Sequence, residues 1–156
     1  MKAFLINKTS ERRIPLQTGA YADTYVEFNL KDVEVNDLID IEKAVETDTG
    51  NLYVWNENPE LRENGIVVLC DSKRDIKQKL PSVLMIGRNS GKIINSIRGN
   101  ILLIGYDSTA LKMVSLTSEQ KQVIGRVFKP GRYHKEYRYI DGYSIVMDEE
   151  DEEEES

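Results

Sequence analysis

Short apolar runs separated by turn-forming residues constrain the fold of this chain more than any other feature. The runs "IVVLC", "VLMIG" and "NILLIGY" are punctuated by Gly65, Asp71, Gly87 and Gly99. Each has the length of a buried strand, which is typically about 5–6 residues, and none approaches the roughly 20 apolar residues that span a bilayer. Because 40% of the residues are apolar, these strands can bury a core. The sequence therefore predicts a protein built mainly from β-sheet.

Apolar alternation and β-branched residues predict the individual strands. The segments are "KAFLIN", "TYVEFNL", "NLYVWNE", "GIVVLCD", "SVLMIG", "GKIINSI", "NILLIGYD" and the closing "GRYHKEYRYIDGYSIVM". A short edge piece is expected around Ile14–Leu16, and tight turns are expected at "TDTGN", "NPEL", "RNSG" and "RGN".

Two or three short helices complete the expected fold. Thr117 and Gln120 have capping-box spacing and predict a helix over about Ser118–Val127. "SKRDIKQKL" predicts a second helix, with a Ser cap and apolar residues four apart. "EVNDLIDIEKAVE" fits a helix or a strand; we favour a short helix over Asp37–Ile41, capped by Asn36, and then a strand over Ile41–Glu46. The expected class is α+β with a mainly antiparallel or mixed sheet.

The domain boundary is expected at the acidic C-terminus. Residues 1–147 are expected to form one α+β domain, and residues 148–156 a disordered acidic tail, because that segment has no apolar residue to bury. "MKAFLIN" lacks a secretory cleavage site, so we expect a cytoplasmic protein. Cys70 is the single cysteine and is expected to be a buried structural thiol.

Charge is distributed unevenly along the chain. Residues 1–72 hold 7 Lys/Arg and 14 Asp/Glu, residues 73–138 hold 14 and 4, and residues 139–156 hold none and 9. The formal net charge of −6 therefore conceals a strongly basic central segment. Such asymmetry bears on the choice of partner rather than on the fold.

"GRNSGK" (Gly87–Lys92) invites comparison with a phosphate-binding loop. Its glycines are three residues apart instead of four, and Ile93 follows where the phosphate loop has Ser or Thr. A strand rather than a helix follows Lys92, so we expect a hairpin turn. This turn could still hold Arg88 and Lys92 side by side as an anion contact, with Arg98 further along the chain as another candidate.

"KPGRYHKEYRY" (Lys129–Tyr139) interleaves cations with aromatic residues. In single-stranded nucleic-acid binding, cations contact phosphates while rings stack on bases. If the segment is one strand, Tyr133, Lys135, Tyr137 and Tyr139 share a face, opposite Arg132, His134 and Arg138. Alternatively, the tyrosines pack on the core and the cations are only solvated.

Nothing in the sequence indicates catalysis, a cofactor or a bound metal. His134 is the single histidine, and it has no serine or cysteine near it in a nucleophile motif. Dinucleotide, HExxH, kinase and deaminase signatures are missing. We therefore expect a protein that is not an enzyme.

The acidic tail consists of eight consecutive carboxylates. These residues are Asp148, Glu149, Glu150, Asp151, Glu152, Glu153, Glu154 and Glu155. Three roles stay open for them: they could keep the protein soluble, screen the protein's own basic residues until an anion displaces them, or imitate a nucleic-acid backbone towards another protein.

Several segments resemble a family of small phage and mobile-element proteins that is catalogued as a domain of unknown function. The resemblance is carried by "MKAFLIN", by "VEVNDLIDIEKAVETDTGNLYVWNE" and by "IRGNILLIGYDSTALKMVSLTSEQ", about half of the chain. The matching features are Ile6–Asn7, Asp37–Ile39, Leu52–Val54, Gly99–Asp107 and Ser115–Glu119. The loop after Asn7, the stretch Ser72–Ser82 and everything from Phe128 onward depart from the family pattern.

The resemblance implies a cytoplasmic accessory protein that acts by binding. We expect it to inhibit or sequester a host or defence protein, or to hold an anionic ligand such as a nucleotide, with no membrane contact. The alternative is a nucleic-acid-binding accessory protein whose tail screens the basic, tyrosine-rich strip. Its oligomeric state is left open.

Overall fold

The structure, a computed structural model, describes residues 1–7, 10–13, 30–77, 81–135 and 138–148; for residues 10–13 and 132–141 it describes the backbone. The described part forms eleven strands and three helices. The strands are β1 (Lys2–Ile6), β2 (Ser10–Arg13), β3 (Lys31–Glu34), β4 (Leu52–Trp55), β5 (Ile66–Asp71), β6 (Pro81–Gly87), β7 (Ile93–Arg98), β8 (Ile101–Asp107), β9 (Lys112–Val114), β10 (Lys129–Lys135) and β11 (Arg138–Met147). The helices are α1 (Leu38–Ala44), α2 (Pro59–Glu63) and α3 (Ser118–Val127). The protein is thus α+β with mostly antiparallel sheet, and none of these helices is long and apolar enough to cross a bilayer.

The strands form two sheets. Sheet A has the order β3-β1-β8-β5-β4, all antiparallel, with β9 also paired to β8. Sheet B has the order β10-β11-β6-β7, with β2 also paired to β11. In sheet B, β6 and β11 run parallel and the other pairs are antiparallel.

Strand β8 is buried on both faces and lies at the centre of sheet A. Ile101 and Leu103 belong to an apolar cluster that includes Val83 and Ile145 of sheet B. Leu102 and Ile104 belong to a second cluster, which α1 covers with residues that include Ile41. Successive strand residues point to opposite faces, so the continuous run "ILLI" supplies both cores. This arrangement gives three layers: α1, sheet A and sheet B.

Helix α3 begins as the sequence predicts. The Thr117 hydroxyl accepts from the Gln120 N–H, and the Gln120 side chain accepts from the Thr117 N–H at 2.9 Å. The Gln120 amide also donates to the carbonyls of Asn64 and Gly65. A Cβ on Gly105 would lie 3.0 Å from the Val114 carbonyl and 3.1 Å from Gln120 Oε1. Only glycine fits this junction of β8, β9 and α3.

The prediction for residues 36–46 is correct for the helix and wrong for the strand. The helix continues to Ala44 because Ile41 and Val45, four residues apart, are both buried against sheet A. The cap is Asp37 instead of Asn36, since the Asp37 carboxylate accepts from the Asp40 N–H at 2.9 Å.

Two further local predictions are wrong. "NPEL" contributes to α2, because Asn58 caps the Leu61 N–H and Pro59 occupies the first turn, where no proline N–H is needed. Residues 72–77 form turns instead of a helix. Ile76, predicted to be on the apolar side of that helix, is 82% exposed, so no buried face supports the helix.

The basic segment at 129–139 is divided between two strands instead of forming one. Lys135 of β10 is opposite Arg138 of β11, so the chain reverses between them. Tyr133 is opposite Ile140 and Tyr139 is opposite His134, so the predicted single-strand tyrosine ladder is wrong. The predicted strands at "GKIINSI" and "NILLIGYD" are present, but they belong to different sheets, and Gly99 with φ +80° joins them.

Some predictions fall on residues that the structure does not describe. The edge piece at Ile14–Leu16, most of the strand at Thr24–Leu30, Tyr137, and the acidic residues after Asp148 lie outside the described residues.

Truncation of Leu103 tests the layered core. Leu103 is fully buried between the sheets, so Leu103→Ala is expected to lower the free energy of unfolding by about 2–5 kcal/mol. Leu38→Ala is the matched control, because Leu38 is 54% exposed and exposed truncations usually cost about 0.5 kcal/mol or less. Guanidinium titration measures both. Equal losses would contradict the burial of β8 between two covered faces.

Candidate functional site

The parallel pairing of β6 with β11 brings Arg88 to the start of the acidic tail. Met147 is in register with Gly87, so Arg88 and Asp148 leave the sheet side by side. The Arg88 N–H donates to the Met147 carbonyl at 2.9 Å, and Arg88 Nε donates to Asp148 Oδ1 at 2.6 Å. The first tail carboxylate is thus paired with a predicted anion-binding residue.

The turn between β6 and β7 is the predicted hairpin turn. The Gly87 N–H donates to the Lys92 carbonyl, and the Gly91 N–H donates to the Gly87 carbonyl, each at 2.9 Å. Gly91 has φ +68°, a conformation that favours glycine. Arg88 and Lys92 are both exposed on this one turn. The turn therefore presents two cations.

A cleft of about 310 Å³ opens beside this turn. It lies between α2, the end of α3 and the ends of β6 and β11. Its lining residues are Asn58, Pro59, Glu60, Glu63, Arg88, Val127, Ile145, Val146 and Asp148. The neighbouring Arg126 is bound to Glu60 by two contacts of 2.7 and 3.0 Å. Arg88 is the cation among the lining residues, so an anion entering the cleft would compete with Asp148 for it.

The other predicted anion-binding residues lie elsewhere in sheet B. Arg98 is opposite Pro81, at the far end of β6 from Arg88, and its Nε lies 4.0 Å from Asp75 Oδ1. β6 has seven residues, so its ends lie about 20 Å apart. Arg98 therefore does not join Arg88 and Lys92 in one site.

The β10–β11 hairpin is still further from Arg88. It contains Arg132, Tyr133, Lys135 and Arg138. β11 has ten residues, so Arg138 lies about 30 Å from Met147. The predicted set is thus divided into a turn site with Arg88 and Lys92, a hairpin end with the four residues just named, and Arg98 at the opposite sheet edge.

Sequence reasoning missed two groups of residues near these sites. Asn58, Glu60 and Glu63 enter the cleft through α2, which was predicted to be a turn. Arg12 and Arg13 enter sheet B through β2, which pairs with β11 next to the basic hairpin. The basic pair was visible in "SERR", but no local pattern shows that it pairs with a strand more than a hundred residues away.

Asp71 forms a separate polar network at the end of β5. Its side chain is fully buried, accepts from the Thr47 hydroxyl at 2.8 Å and from the Lys73 N–H at 3.1 Å, and lies 2.8 Å from Lys77 Nζ. The hydrogen bond and charge of Asp71 raise the pKa of Lys77, against the opposing effect of burial, and Asp48 contributes in the same direction. This network fixes the turns at residues 72–77 and has a structural role.

The described residues include no group of three or more His, Cys, Asp or Glu side chains placed to hold a metal ion. Cys70 is fully buried, which confirms the expected structural position of the thiol.

The chain matches no protein-family model, and searches of curated proteins and of solved structures found no similar protein.

The raised pKa values predict the alkaline behaviour of the protein. Lys77 stabilises the fold fully below its unfolded pKa of 10.5, and this contribution is lost as pH rises through the higher folded pKa. Lys77→Met is therefore expected to reduce stability at pH 8, and its difference from the wild type is expected to shrink above pH 10.5. Urea titrations across this range measure the effect.

Tyr143 serves as the control for this pH dependence. Burial raises its pKa above 10.0, so its ionisation also favours unfolding at high pH. Tyr143→Phe is expected to reduce the alkaline loss while leaving the Lys77 contribution intact. A constant difference between Lys77→Met and the wild type up to pH 12 would contradict the role assigned to Lys77.

Proposed function

We propose that this is a non-catalytic binding protein of phage or mobile-element origin that sequesters an anionic ligand, or an anionic surface of a host or defence component, in the host cytoplasm. The binding site is the β6–β7 turn with Arg88 and Lys92, together with the adjacent cleft. The acidic C-terminal segment competes with the ligand for this site. The proposed origin rests on the sequence resemblance alone.

The contact between Arg88 and Asp148 carries the proposal. It joins a cation that the sequence nominates as an anion ligand to the first of eight consecutive carboxylates. Of the three roles open to the acidic segment, this contact favours screening of the protein's own basic residues. Arg88 already binds one oxyanion in the geometry that a phosphate or another carboxylate would use.

The strength of this contact suits a competitor that can be displaced. Arg88 is 63% exposed and Asp148 is 78% exposed. Ion pairs between exposed side chains contribute about 0.2–1 kcal/mol, so Asp148 alone reduces ligand affinity by at most about fivefold. The seven carboxylates that follow would add a local negative potential, which salt screens over a Debye length of about 10 Å at 0.1 M.

Chain length limits which cations the acidic segment can screen. Residues 149–155 span at most about 25 Å when fully extended, whereas Arg138 lies about 30 Å from Met147 along β11. Most of these carboxylates are thus closer to Arg88 and Lys92 than to the basic hairpin end. This geometry favours screening of the turn site over screening of the tyrosine-rich strip.

Truncation after Met147 tests the proposal with inorganic tripolyphosphate as the probe. The truncated chain is expected to bind the probe at least fivefold more tightly than the full chain at 50 mM salt, because the competing carboxylates are gone. The gain is expected to vanish near 500 mM salt, where charges are screened. Isothermal calorimetry measures the affinities, and the Arg88 Nε–H signal in ¹⁵N NMR reports the site.

Arg88→Gln and Arg98→Gln, each combined with the truncation, form the matched pair of controls. Both remove one positive charge, but only Arg88→Gln is expected to abolish most of the gain. An equal gain in both backgrounds would show that the acidic segment acts only through net charge and would refute the site. A protein partner retained by the full chain and lost on truncation would refute screening and indicate that the acidic segment is itself the binding element.

A further inference from the structure

Three strands meet at the end of sheet B that is remote from Arg88. There β11 pairs with β10 on one side and with β2 on the other, both antiparallel. The strands therefore form a β10–β11–β2 ribbon, which contains a stretch from the first 13 residues and two from the last 30. Residues far apart in sequence thus come into register.

The register orders the charges along this ribbon. Four successive rows cross the three strands, and each takes one residue from β10, β11 and β2. From the sheet outward the rows are Arg132–Asp141–Ser10, Tyr133–Ile140–Glu11, His134–Tyr139–Arg12 and Lys135–Arg138–Arg13. The two inner rows each contain a carboxylate, and the outermost row, which we call the cationic row, contains three cations.

The cationic row is unfavourable for the protein alone. Like charges directly opposite each other on neighbouring strands destabilise a sheet, and adjacent strands are only about 4.8 Å apart. The inner rows show that acidic residues occur elsewhere in the same ribbon, yet none is in register with the cationic row. An external polyanion would relieve this repulsion.

We infer that the cationic row, with Tyr139 and Tyr133 in the two preceding rows, is a binding surface for single-stranded nucleic acid. Cations that contact the phosphates and aromatic residues that stack on unpaired bases are the two components such surfaces combine. A flexible single strand can follow a row of cations only about 10 Å long, whereas a membrane needs a broader basic or apolar surface. This surface is about 30 Å from Arg88, so it is independent of the site proposed above.

The test uses the full chain and a fluorescently labelled 20-nucleotide oligothymidine, with affinity measured by anisotropy between 50 and 200 mM salt. The triple variant Arg13→Gln, Lys135→Gln, Arg138→Gln is expected to bind at least tenfold more weakly at 50 mM. It is also expected to lower the slope of log affinity against log salt by about 2, because each lost single-strand phosphate contact accounts for about 0.7.

The matched control is Lys31→Gln, Lys43→Gln, Lys112→Gln, which removes the same charge from exposed positions outside the ribbon. Its affinity is expected to change less than threefold. Arg13→Lys with Arg138→Lys is expected to retain wild-type affinity, which separates loss of charge from loss of folding; a two-state melt monitored by circular dichroism confirms that each variant is folded. Arg88→Gln is expected to leave oligothymidine binding unchanged.

Three results would overturn the inference. One is the lack of oligothymidine binding by the wild type at 50 mM salt. Another is an equal loss in the two triple variants, which would reduce the effect to net charge. The third is binding to phosphatidylserine vesicles that depends on the cationic row without any binding of the oligonucleotide.

Discussion

Burial of β8 on both faces is the constraint on which the rest of the structure depends. Its residues Ile101 to Ile104 are all fully buried, and they alternate between the two apolar clusters. Each face therefore needs its own cover. Helix α1 is short but sufficient for one face, and sheet B with α2 and α3 covers the other. Removing either cover would expose two fully buried aliphatic side chains of the central strand, an unfavourable change of several kcal/mol.

Strand β11 connects this architecture to the candidate sites. One of its edges pairs with β10 along most of its length, while the other pairs first with β2 and then with β6. The parallel pairing with β6 makes both strands end at the same place, so Arg88 meets Asp148. The antiparallel pairing with β2 at the opposite end brings Arg13 to the basic hairpin. A single strand thus creates two separate basic sites, and its length determines their separation.

The sequence is informative wherever the signal is local. The capping box at Thr117 and Gln120, the glycine turn after β6 and most of the apolar strands were predicted correctly, because neighbouring residues determine these features. The helix at residues 72–80 was predicted from spacing alone, and it fails because Ile76 has no apolar surface to contact. For the candidate site, Arg88 and Lys92 were identified, but the split from Arg98 and from the hairpin was not. Strand order and register are set by contacts between distant segments, and these contacts leave no trace in a local pattern.

Strand order also explains how the charge asymmetry of the sequence becomes an asymmetry of the fold. The acidic first part of the chain supplies β1, β3, β4 and β5 of sheet A, whereas sheet B takes β6, β7, β10 and β11 from later segments. Strand β2 is the exception, since it comes from the acidic part but pairs in sheet B. It carries Arg12 and Arg13, two of the seven Lys and Arg residues among the first 72.

The exception makes the asymmetry stronger, because the segment that joins the basic sheet is itself basic. The acidic C-terminal segment then starts at the other end of that same sheet, next to Arg88. Opposite charges are therefore concentrated at the two ends of β11, about 30 Å apart, which is several Debye lengths at physiological salt. At that distance the two ends interact with partners almost independently. The net charge of −6 thus describes neither end.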